Sequence, residues 1–263
     1  MTKLKNFYIW DGVYSNFEEA EKLALGKGFG GRTYLKSAKQ AARESLNCLQ
    51  NGKQIPKFYK QRFTSYPAMI SIIMGNIGTP RKLKVLDFGG GLGVGYFHLQ
   101  ECMPKVKSNI LYKIVEVPEI VEEGKKFYKN LNLPVSFAKN IPRIKYDFVF
   151  CGSVLQYIKN WRYQLHELSQ TDPEYILLGD VFCGEIDSFA SLQNYYDSKI
   201  PHWFLSKREI ENQLASLGYN LIHQDAATGS RAGHEDTLPM ENFKKKHRLP
   251  NTLHLLFQKN KSN

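Results

Sequence analysis

The feature that most constrains the fold is a glycine-rich turn after a short apolar run, in the stretch VLDFGGGLGVGYF at residues 85–97. The apolar run ends at Asp87, and glycines follow at positions 89, 90, 91 and 93. A buried strand that passes through such a turn into a helix is typical of α/β proteins that hold a nucleotide-like ligand at the turn. The stretch therefore predicts a ligand site formed by its own backbone.

Two known nucleotide motifs fit this turn poorly. A P-loop needs a Gly-Lys-Ser/Thr ending, whereas Gly95 is followed here by Tyr96 and Phe97, so the P-loop is excluded. The dinucleotide fingerprint Gly-x-Gly-x-x-Gly needs a further glycine at position 94 or 96, where the chain has Val94 and Tyr96. This second motif is weakened but stays open as an alternative.

From residue 83 onward, short apolar runs alternate with stretches of helical periodicity. In PEIVEEGKKFYKNL, for example, Ile120, Phe127 and Leu131 recur at helical spacing after a proline at the first turn. The alternation predicts a doubly wound, Rossmann-like α/β fold with a seven-stranded, mostly parallel sheet, whose ligands lie beyond the carboxyl ends of the strands. The predicted strands are LKVLDF, ILYKIVEV, PVSFA, YDFVFCG, YILLGDVF, YNLIHQ and TLHLLFQ.

Residues 1–80 lack this alternation, and we interpret them as an N-terminal helical cap on a ligand-binding domain of residues 81–263. SNFE at 15–18 is typical of a capping box that begins a helix. KSAKQAARESLNCLQNG predicts a second helix that ends before Gly52.

Charge and cysteine pattern limit the partners. The formal net charge is +11, but residues 81–240 are nearly neutral, and the excess lies in residues 1–80, with 12 Lys and Arg against 5 Asp and Glu, and in residues 241–263, with 6 against 1. This fits a solvated basic surface, or attraction to a phosphorylated substrate or an anionic membrane surface. The four cysteines form no CxxC pair, and the longest apolar run is far shorter than the roughly 20 residues that span a bilayer. We expect a soluble, cytoplasmic protein.

The spacing of Asp87, Gly89, Gly91 and Gly93 resembles the first motif of the class I S-adenosylmethionine (SAM)-dependent methyltransferases. In that family the glycines let the backbone pass close beneath the amino-acid part of the cofactor, and the acid helps to fix the turn and the ammonium group. Glu116 ends the second strand, where an acid can accept hydrogen bonds from both ribose hydroxyls. The resemblance implies SAM as cofactor and S-adenosylhomocysteine (SAH) as product. The predicted cofactor-binding residues are Asp87, Gly89, Gly90, Gly91, Gly93, Glu116, Val117, Asn140, Cys151, Gly152 and Ser153.

Four further segments, WDGVYSNFEEA, VLDFGGGLG, GSVLQYI and IPHWFLS, resemble a methyltransferase family of bacterial surface-polysaccharide gene clusters. The resemblance extends over nearly the whole chain and implies methylation of a sugar or sugar-linked intermediate. After the fifth strand this chain has GDVFCGE, where that family has an Arg-Thr-Pro-like segment. The substrate side is therefore expected to differ.

Methyl transfer to a hydroxyl requires alignment of donor and acceptor and removal of a proton. His202, predicted to lie in a loop after the fifth strand, is a candidate base because the imidazole pKa is near neutrality, although a packed structural histidine fits the pattern as well. Asp180 is the second candidate base. Tyr157, Gln193 and Trp203 are candidates to line a sugar, with the indole stacked on its apolar face beside His202. We expect the cap, including Trp10 and Tyr66, to cover this side of the sheet.

Other functions are less well supported by the residues. A nucleic-acid methyltransferase is not expected, because the segment after the fourth strand is Cys-Gly-Ser-Val, without the Pro-Pro or Pro-Cys motif of those enzymes. The adjacent residues HED at 234–236 do not predict a metal site, since three neighbouring side chains rarely point at one ion. The remaining alternatives are an NAD-dependent sugar-modifying oxidoreductase and a SAM-fold domain that binds without turnover.

Overall fold

The computed structural model describes residues 7–60, 63, 65–77, 82–227, 230–231, 234–235 and 237–260. Its strands, in chain order, are Trp10–Tyr14 (β1), Leu83–Phe88 (β2), Ile110–Val115 (β3), Val135–Ala138 (β4), Phe148–Gly152 (β5), Tyr175–Val181 (β6), Cys183–Gly184 (β7), Phe189–Tyr195 (β8), Ser198–Ser206 (β9), Tyr219–Ala227 (β10), Ser230–Arg231 (β11), His234–Glu235 (β12) and Thr252–Lys259 (β13).

The α-helices are Phe17–Glu21 (α1), Arg32–Gln50 (α2), Lys57–Lys60 (α3), Tyr66–Ile77 (α4), Val94–Cys102 (α5), Val106–Asn109 (α6), Pro118–Tyr128 (α7), Trp161–Ser169 (α8) and Lys207–Ser216 (α9). Short 3-10 helices lie at Gly28–Gly30, Leu155–Tyr157 and Lys245–His247. No helix among the described residues is long and apolar enough to cross a membrane.

The main sheet has seven strands in the order β10-β13-β6-β5-β2-β3-β4. Strands β2 to β6 pair in parallel, and β13 lies antiparallel between β6 and β10. This confirms the predicted doubly wound, mostly parallel sheet. The sheet reverses direction beside β2, because successive connections run first to β3 and β4 and then back to β5. Such a reversal opens a crevice at the carboxyl ends of the central strands, directly above the glycine turn.

Helices cover both faces of this sheet. Alternate residues of β2 point to opposite faces, so Val85 packs in one apolar core with α2, α4, α5 and α7, while Leu86 packs in a second core with α8 and α9. Because Ala42 of α2 and Ile70 of α4 are buried in the first core, these N-terminal helices belong to the main packing unit.

A second sheet, of order β1-β8-β9-β7, lies outside the predicted elements. Its centre is the antiparallel hairpin of β8 and β9, and β1 pairs with β8. The N-terminal region is therefore not wholly helical, and the segment after β6 is a hairpin where a loop was predicted. β1 escapes a periodicity search because it is short and irregular, with Gly12 at φ +80° and a register shift between Asp11 and Tyr14.

The sequence predicts helix ends more accurately than it predicts the strands of this second sheet. Pro118 begins α7, and Gly218, at φ +85°, follows α9 as predicted. The capping box that begins α1 is displaced by one residue from the prediction. Asn16 is the N-cap and accepts from the amide of Glu19, whose carboxylate accepts in turn from the amide of Ser15.

Candidate functional site: the crevice above the glycine turn

The glycine turn joins β2 to α5 through three left-handed residues. Gly89, Gly91 and Gly93 have φ of +73°, +57° and +82°, which other residues adopt only under strain. The amide of Gly89 donates to the carbonyl of Val115 at 2.8 Å and so ties the turn to β3. A methyl group on Gly90 would collide with Oδ2 of Asp87. The turn thus requires glycine for both backbone conformation and close approach.

Asp87 lies beneath the turn and is only 1% exposed. Its Oδ2 accepts a hydrogen bond of 2.8 Å from the hydroxyl of Tyr112, which accepts one of 3.1 Å from the hydroxyl of Tyr66. Burial raises the pKa of Asp87 to about 7, the bond from Tyr112 opposes the shift, and the charge of Glu116 adds to it. The carboxylate supports the turn from below, and Tyr66 connects it to the N-terminal region.

Glu116 follows β3 and holds the turn from the other side. Its Oε1 accepts from the amide of Gly91 at 3.0 Å, and its Oε2 accepts from the amide of Val117 at 2.9 Å. Burial raises the pKa of this carboxyl group, while the two backbone bonds act against the shift. A carboxylate oxygen can accept more than one hydrogen bond. Glu116 therefore keeps acceptor capacity for a ligand, while the two backbone bonds fix its orientation.

Two predicted cofactor-binding residues lie next along this edge of the sheet. Val117 is 39% exposed after β3, and Asn140 is exposed just after β4. β3 and β4 are parallel neighbours, so both side chains lie at the carboxyl edge that carries Glu116. Their contact with a ligand stays a prediction.

On the opposite side of the turn, β5 ends in a tight and partly strained bend. Cys151 is fully buried, whereas Gly152 and Ser153 are half-buried beside the crevice. Ser153 has φ +59°, and its amide donates to the carbonyl of Gly179 at 2.7 Å. A non-glycine residue in this conformation costs about 1–3 kcal/mol, and such strain is commonest at functional sites.

Gln156 was not singled out from the sequence. The side chain is fully buried, and its amide nitrogen donates to Oγ of Ser153 at 3.3 Å. Its carbonyl oxygen Oε1 has no hydrogen-bond partner among the described residues. A buried acceptor left open beside the bend is a candidate ligand contact. The only sequence signal was its place in the segment GSVLQYI.

Asp180 lies at the end of β6 and is completely buried. It also has a left-handed backbone, at φ +51°. Its Oδ1 accepts a 2.6 Å bond from the hydroxyl of Thr252, and its amide donates to Nδ1 of His254 at 3.2 Å. These contacts tie β6 to β13. The strained backbone of Asp180 lies at the carboxyl edge of the sheet, as does that of Ser153. The carboxylate of Asp180, however, is hydrogen-bonded to a residue of β13.

His202 and Trp203 do not form one site. Both lie in β9, and successive residues of a strand point to opposite faces. His202 is completely buried, with its ring against Tyr157 at 5.3 Å and Phe182 at 4.5 Å. Trp203 instead packs against Phe17 and donates to the carbonyl of Lys159. Trp203 and His202 therefore lie on opposite faces of β9, and contact of Trp203 with a sugar stays a prediction.

Tyr157 and Gln193, by contrast, are in direct contact. The hydroxyl of Tyr157 donates to Oε1 of Gln193 at 2.7 Å. Three more aromatic residues, not predicted from the sequence, surround this pair: Phe29, Tyr34 and Tyr195. We name these four rings, Phe29, Tyr34, Tyr157 and Tyr195, the aromatic enclosure. All four are half-buried.

The aromatic enclosure adjoins the glycine turn. A methyl group on Gly91 would lie 3.7 Å from the hydroxyl of Tyr34, which comes from α2. The two cap residues named from the sequence lie elsewhere. Trp10 packs against Phe182 and Phe204, and Tyr66 stacks on Phe150 in the main core. The N-terminal region does reach the crevice, but through Phe29 and Tyr34.

Two groups of residues bear on metal binding. Part of the stretch HED at 234–236 lies outside the described residues. Within the described residues, the potential metal-ligating group is His98, Glu101 and Cys102 on α5. Glu101 already accepts from the ammonium of Lys60 at 2.7 Å and from the amide of Ile55 at 2.6 Å. We interpret this group as an ion-pair network that fastens α3 to α5.

Comparison with known proteins supports the fold. No family model matches the chain, and no curated protein matches it by sequence. Among solved structures, the chain is similar to the 1,6-didemethyltoxoflavin N1-methyltransferase of Burkholderia thailandensis, a structure with bound 1,6-didemethyltoxoflavin and SAH. The two chains are 12% identical over 86% of this chain and 90% of that one, with a TM-score of 0.51. This chain is also similar to a SAM-dependent methyltransferase of Methanosarcina mazei, at 11% identity over 72% of this chain and 98% of that one, with a TM-score of 0.51. The fold is that of the class I methyltransferases.

Proposed function

We propose that the protein is a SAM-dependent methyltransferase that acts on a small molecule. The observation that carries the proposal is the bond from the amide of Gly91 to Glu116 across the glycine turn. A dinucleotide site presents its turn amides to a pyrophosphate. Here a carboxylate takes the central amide and would repel phosphate. The same carboxylate suits an uncharged ribose with two hydroxyl donors.

The residues of the crevice fit SAM part by part. Glu116 is the acceptor for the ribose hydroxyls, with Val117 and Asn140 beside the adenine. The backbone of the glycine turn would lie beneath the amino-acid part, and Gly90 has to be glycine because any side chain there would strike Asp87. Bound SAM supplies a sulfonium methyl group, which passes to the acceptor as the carbon–sulfur bond breaks to leave SAH. A solved structure of similar fold that contains SAH adds support.

For the acceptor we propose a hydroxyl of a sugar or sugar-linked intermediate of surface polysaccharide synthesis, as the sequence resemblance implies. Tyr157 and Gln193, joined by their 2.7 Å bond, supply the ring face and the amide that a sugar site commonly combines. A basic stripe on α2, formed by Arg32, Lys36 and Arg43, lines a surface groove and favours an acceptor that carries phosphate.

Loss of the hydroxyl proton calls for a base, and His202 remains the proposed one. Its buried ring lies edge-on to that of Tyr157, with the two ring centroids 5.3 Å apart, and so borders the proposed acceptor site. Asp180 is the second candidate. It bonds to Thr252, which gives it less freedom to accept a proton.

Calorimetric titration with SAH tests the proposed function. Glu116→Gln removes the negative charge at constant shape and should weaken SAH binding by about 1.5–3 kcal/mol, or roughly 10- to 150-fold, since charge-assisted bonds to the ribose are lost. Glu119→Gln, at an exposed position in the first turn of α7, is the matched control and should bind as the wild type does.

The same titration separates the alternatives. Binding of NAD in preference to SAH would favour the oxidoreductase. Tight SAH binding without transfer of labelled methyl to any of a panel of glycosides and sugar phosphates would favour a domain that binds without turnover.

A further inference from the structure

One segment of the N-terminal region has an unusual composition. Residues 26–31, Gly-Lys-Gly-Phe-Gly-Gly, carry Phe29 as the one large apolar side chain among four glycines. Gly26 and Gly28 have φ of +77° and +50°. Glycine lets the backbone adopt many conformations, so this composition suits a segment that changes its path rather than one that only supports the core.

Both ends of this segment are fastened to neighbouring elements, and its middle is a single 3-10 turn in which the amides of Gly30 and Gly31 donate to the carbonyls of Lys27 and Gly28. On one side, the amide and carbonyl of Leu25 pair with Lys199 at 3.0 and 2.9 Å, and the amide of Gly28 donates to Oγ of Ser198 at 3.2 Å. On the other side α2 begins at Arg32. A methyl group on Gly30 would meet no atom within 4 Å, so the tip has free space around it.

The ring of Phe29 occupies the centre of the aromatic enclosure. Its centroid lies 4.7 Å from that of Tyr157, 5.1 Å from that of Tyr34 and 5.3 Å from that of Tyr195. The planes are inclined at 73°, 82° and 51°, so two of the contacts are edge-to-face. Three rings from three separate elements thus enclose one six-membered ring.

The other three rings stand where an acceptor would be expected. Tyr34 lies over Gly91 of the turn, and Tyr157 follows β5 on the side away from Glu116 and Asn140. If the ribose and adenine lie toward Glu116 and Asn140, the transferable methyl group is on the enclosure's side of the turn. The position of Phe29 is then the position of the acceptor.

We propose that Phe29 fills the acceptor site in the ligand-free protein, and that the acceptor carries a six-membered ring which replaces the Phe29 ring between Tyr34, Tyr157 and Tyr195. The identification of this site as the acceptor site rests on the proposed function, but binding of a ring to the site can be measured without turnover. A pyranose and an aromatic ring share the required shape, and both stack on tyrosine. The glycine-rich segment carries Phe29 out when the acceptor enters.

The test uses phenol and methyl β-glucopyranoside as ring probes, titrated by NMR into the protein with and without SAH. Phe29→Ala removes the internal competitor and should bind at least one probe 10-fold or more tighter than the wild type. The matched control is Phe58→Ala, an exposed phenylalanine on α3 outside the enclosure, which should bind as the wild type does. Whichever probe gains identifies the acceptor as a sugar or an aromatic ring.

A second substitution shows whether the gain arises in the enclosure. Adding Tyr195→Leu to Phe29→Ala should abolish the gain. Equal probe affinity in Phe29→Ala and wild type, or a gain that survives Tyr195→Leu, would overturn the proposal. SAH titration of each variant reports separately on the cofactor site, so failure of SAH to bind would count against the proposed function and leave the ring measurement valid.

A labelled protein provides the same test without loss of the side chain. With 4-fluorophenylalanine at position 29, the fluorine resonance should move toward that of an exposed ring as a probe saturates the protein. A resonance unchanged at saturation would mean that Phe29 is a fixed part of the wall, contrary to the proposal.

Discussion

Tyr112→Phe removes the hydroxyl that donates to the buried Asp87 and leaves the ring in place. The wild-type bond is 2.8 Å long. A hydrogen bond to a charged group contributes about 1.5–3 kcal/mol, and one to a neutral group about 1 kcal/mol. The free energy of unfolding should therefore fall by about 1 kcal/mol when Asp87 is protonated and by about 1.5–3 kcal/mol when it is ionised.

The pH at which this difference appears follows from the pKa of Asp87. Burial raises this pKa from 3.8 to about 7, so the folded state holds the proton more tightly than the unfolded state. Wild-type stability from this group therefore falls as the pH rises from about 4 to about 7, and then levels off. Without the bond from Tyr112 the folded pKa rises further, and the variant continues to lose stability above pH 7.

Urea unfolding at about pH 5 and about pH 9 measures both values. Tyr96→Phe is the matched control, because the Tyr96 ring lies 5.3 Å from that of Tyr112 and its buried hydroxyl has no hydrogen-bond partner among the described residues. It should change stability little at either pH. A loss for Tyr112→Phe that does not grow with pH, or that equals the loss for Tyr96→Phe, would refute the assigned role of the Tyr112–Asp87 bond.

Two further predictions concern the turn and the proposed base. Gly90→Ala should abolish SAH binding, because its methyl group would collide with Asp87. The control is Gly75→Ala in α4, where a methyl group would meet nothing within 4 Å and SAH should bind normally. Equal SAH affinities of the two variants by calorimetry would contradict the packing described for the turn. His202→Gln should lower methyl transfer by roughly 10²- to 10⁴-fold with SAH affinity kept, whereas His166→Gln at a half-exposed position should not; near-wild-type turnover in His202→Gln would remove it as the base.

The main sheet and its ligand-binding edge could be predicted because their signals are local. Asp87 is the last residue but one of β2, the glycines follow Phe88, and Glu116 follows β3, so sequence spacing alone brings these groups to one edge of a parallel sheet. Helix ends could also be predicted where a proline begins the helix or a glycine follows it, as at Pro118 and Gly218.

The second sheet could not be predicted, since its strands depend on long-range pairing. The segment FASLQNY is buried at one end and polar at the other, so it lacks a two-residue period. Without the hairpin, His202 and Trp203 were interpreted as neighbours in a loop, whereas strand geometry separates them. The aromatic enclosure draws on α2, β8 and the 3-10 helices at Gly28–Gly30 and Leu155–Tyr157, so no spacing in sequence connects Tyr34 with Tyr195.

The role of Asp87 shows a further limit of motif reasoning. The sequence placed an acid at the turn, and the family resemblance suggested that it also fixes the ammonium group of the cofactor. Only the structure reveals that the buried carboxylate accepts a hydrogen bond from Tyr112, and that Tyr112 accepts one from Tyr66 of α4. Neither tyrosine belongs to a motif, so their part in the site depends on packing alone.

A crystal structure of the protein with SAH tests the central claim most directly. We expect the ribose hydroxyls to lie within hydrogen-bond distance of Glu116 and the adenine to lie beside Val117 and Asn140. The amino-acid part should pass over Gly89–Gly91 with its sulfur on the side of Tyr157. A ribose bound away from Glu116, or a glycine turn that holds phosphate groups in place of the adenosyl moiety, would contradict this claim.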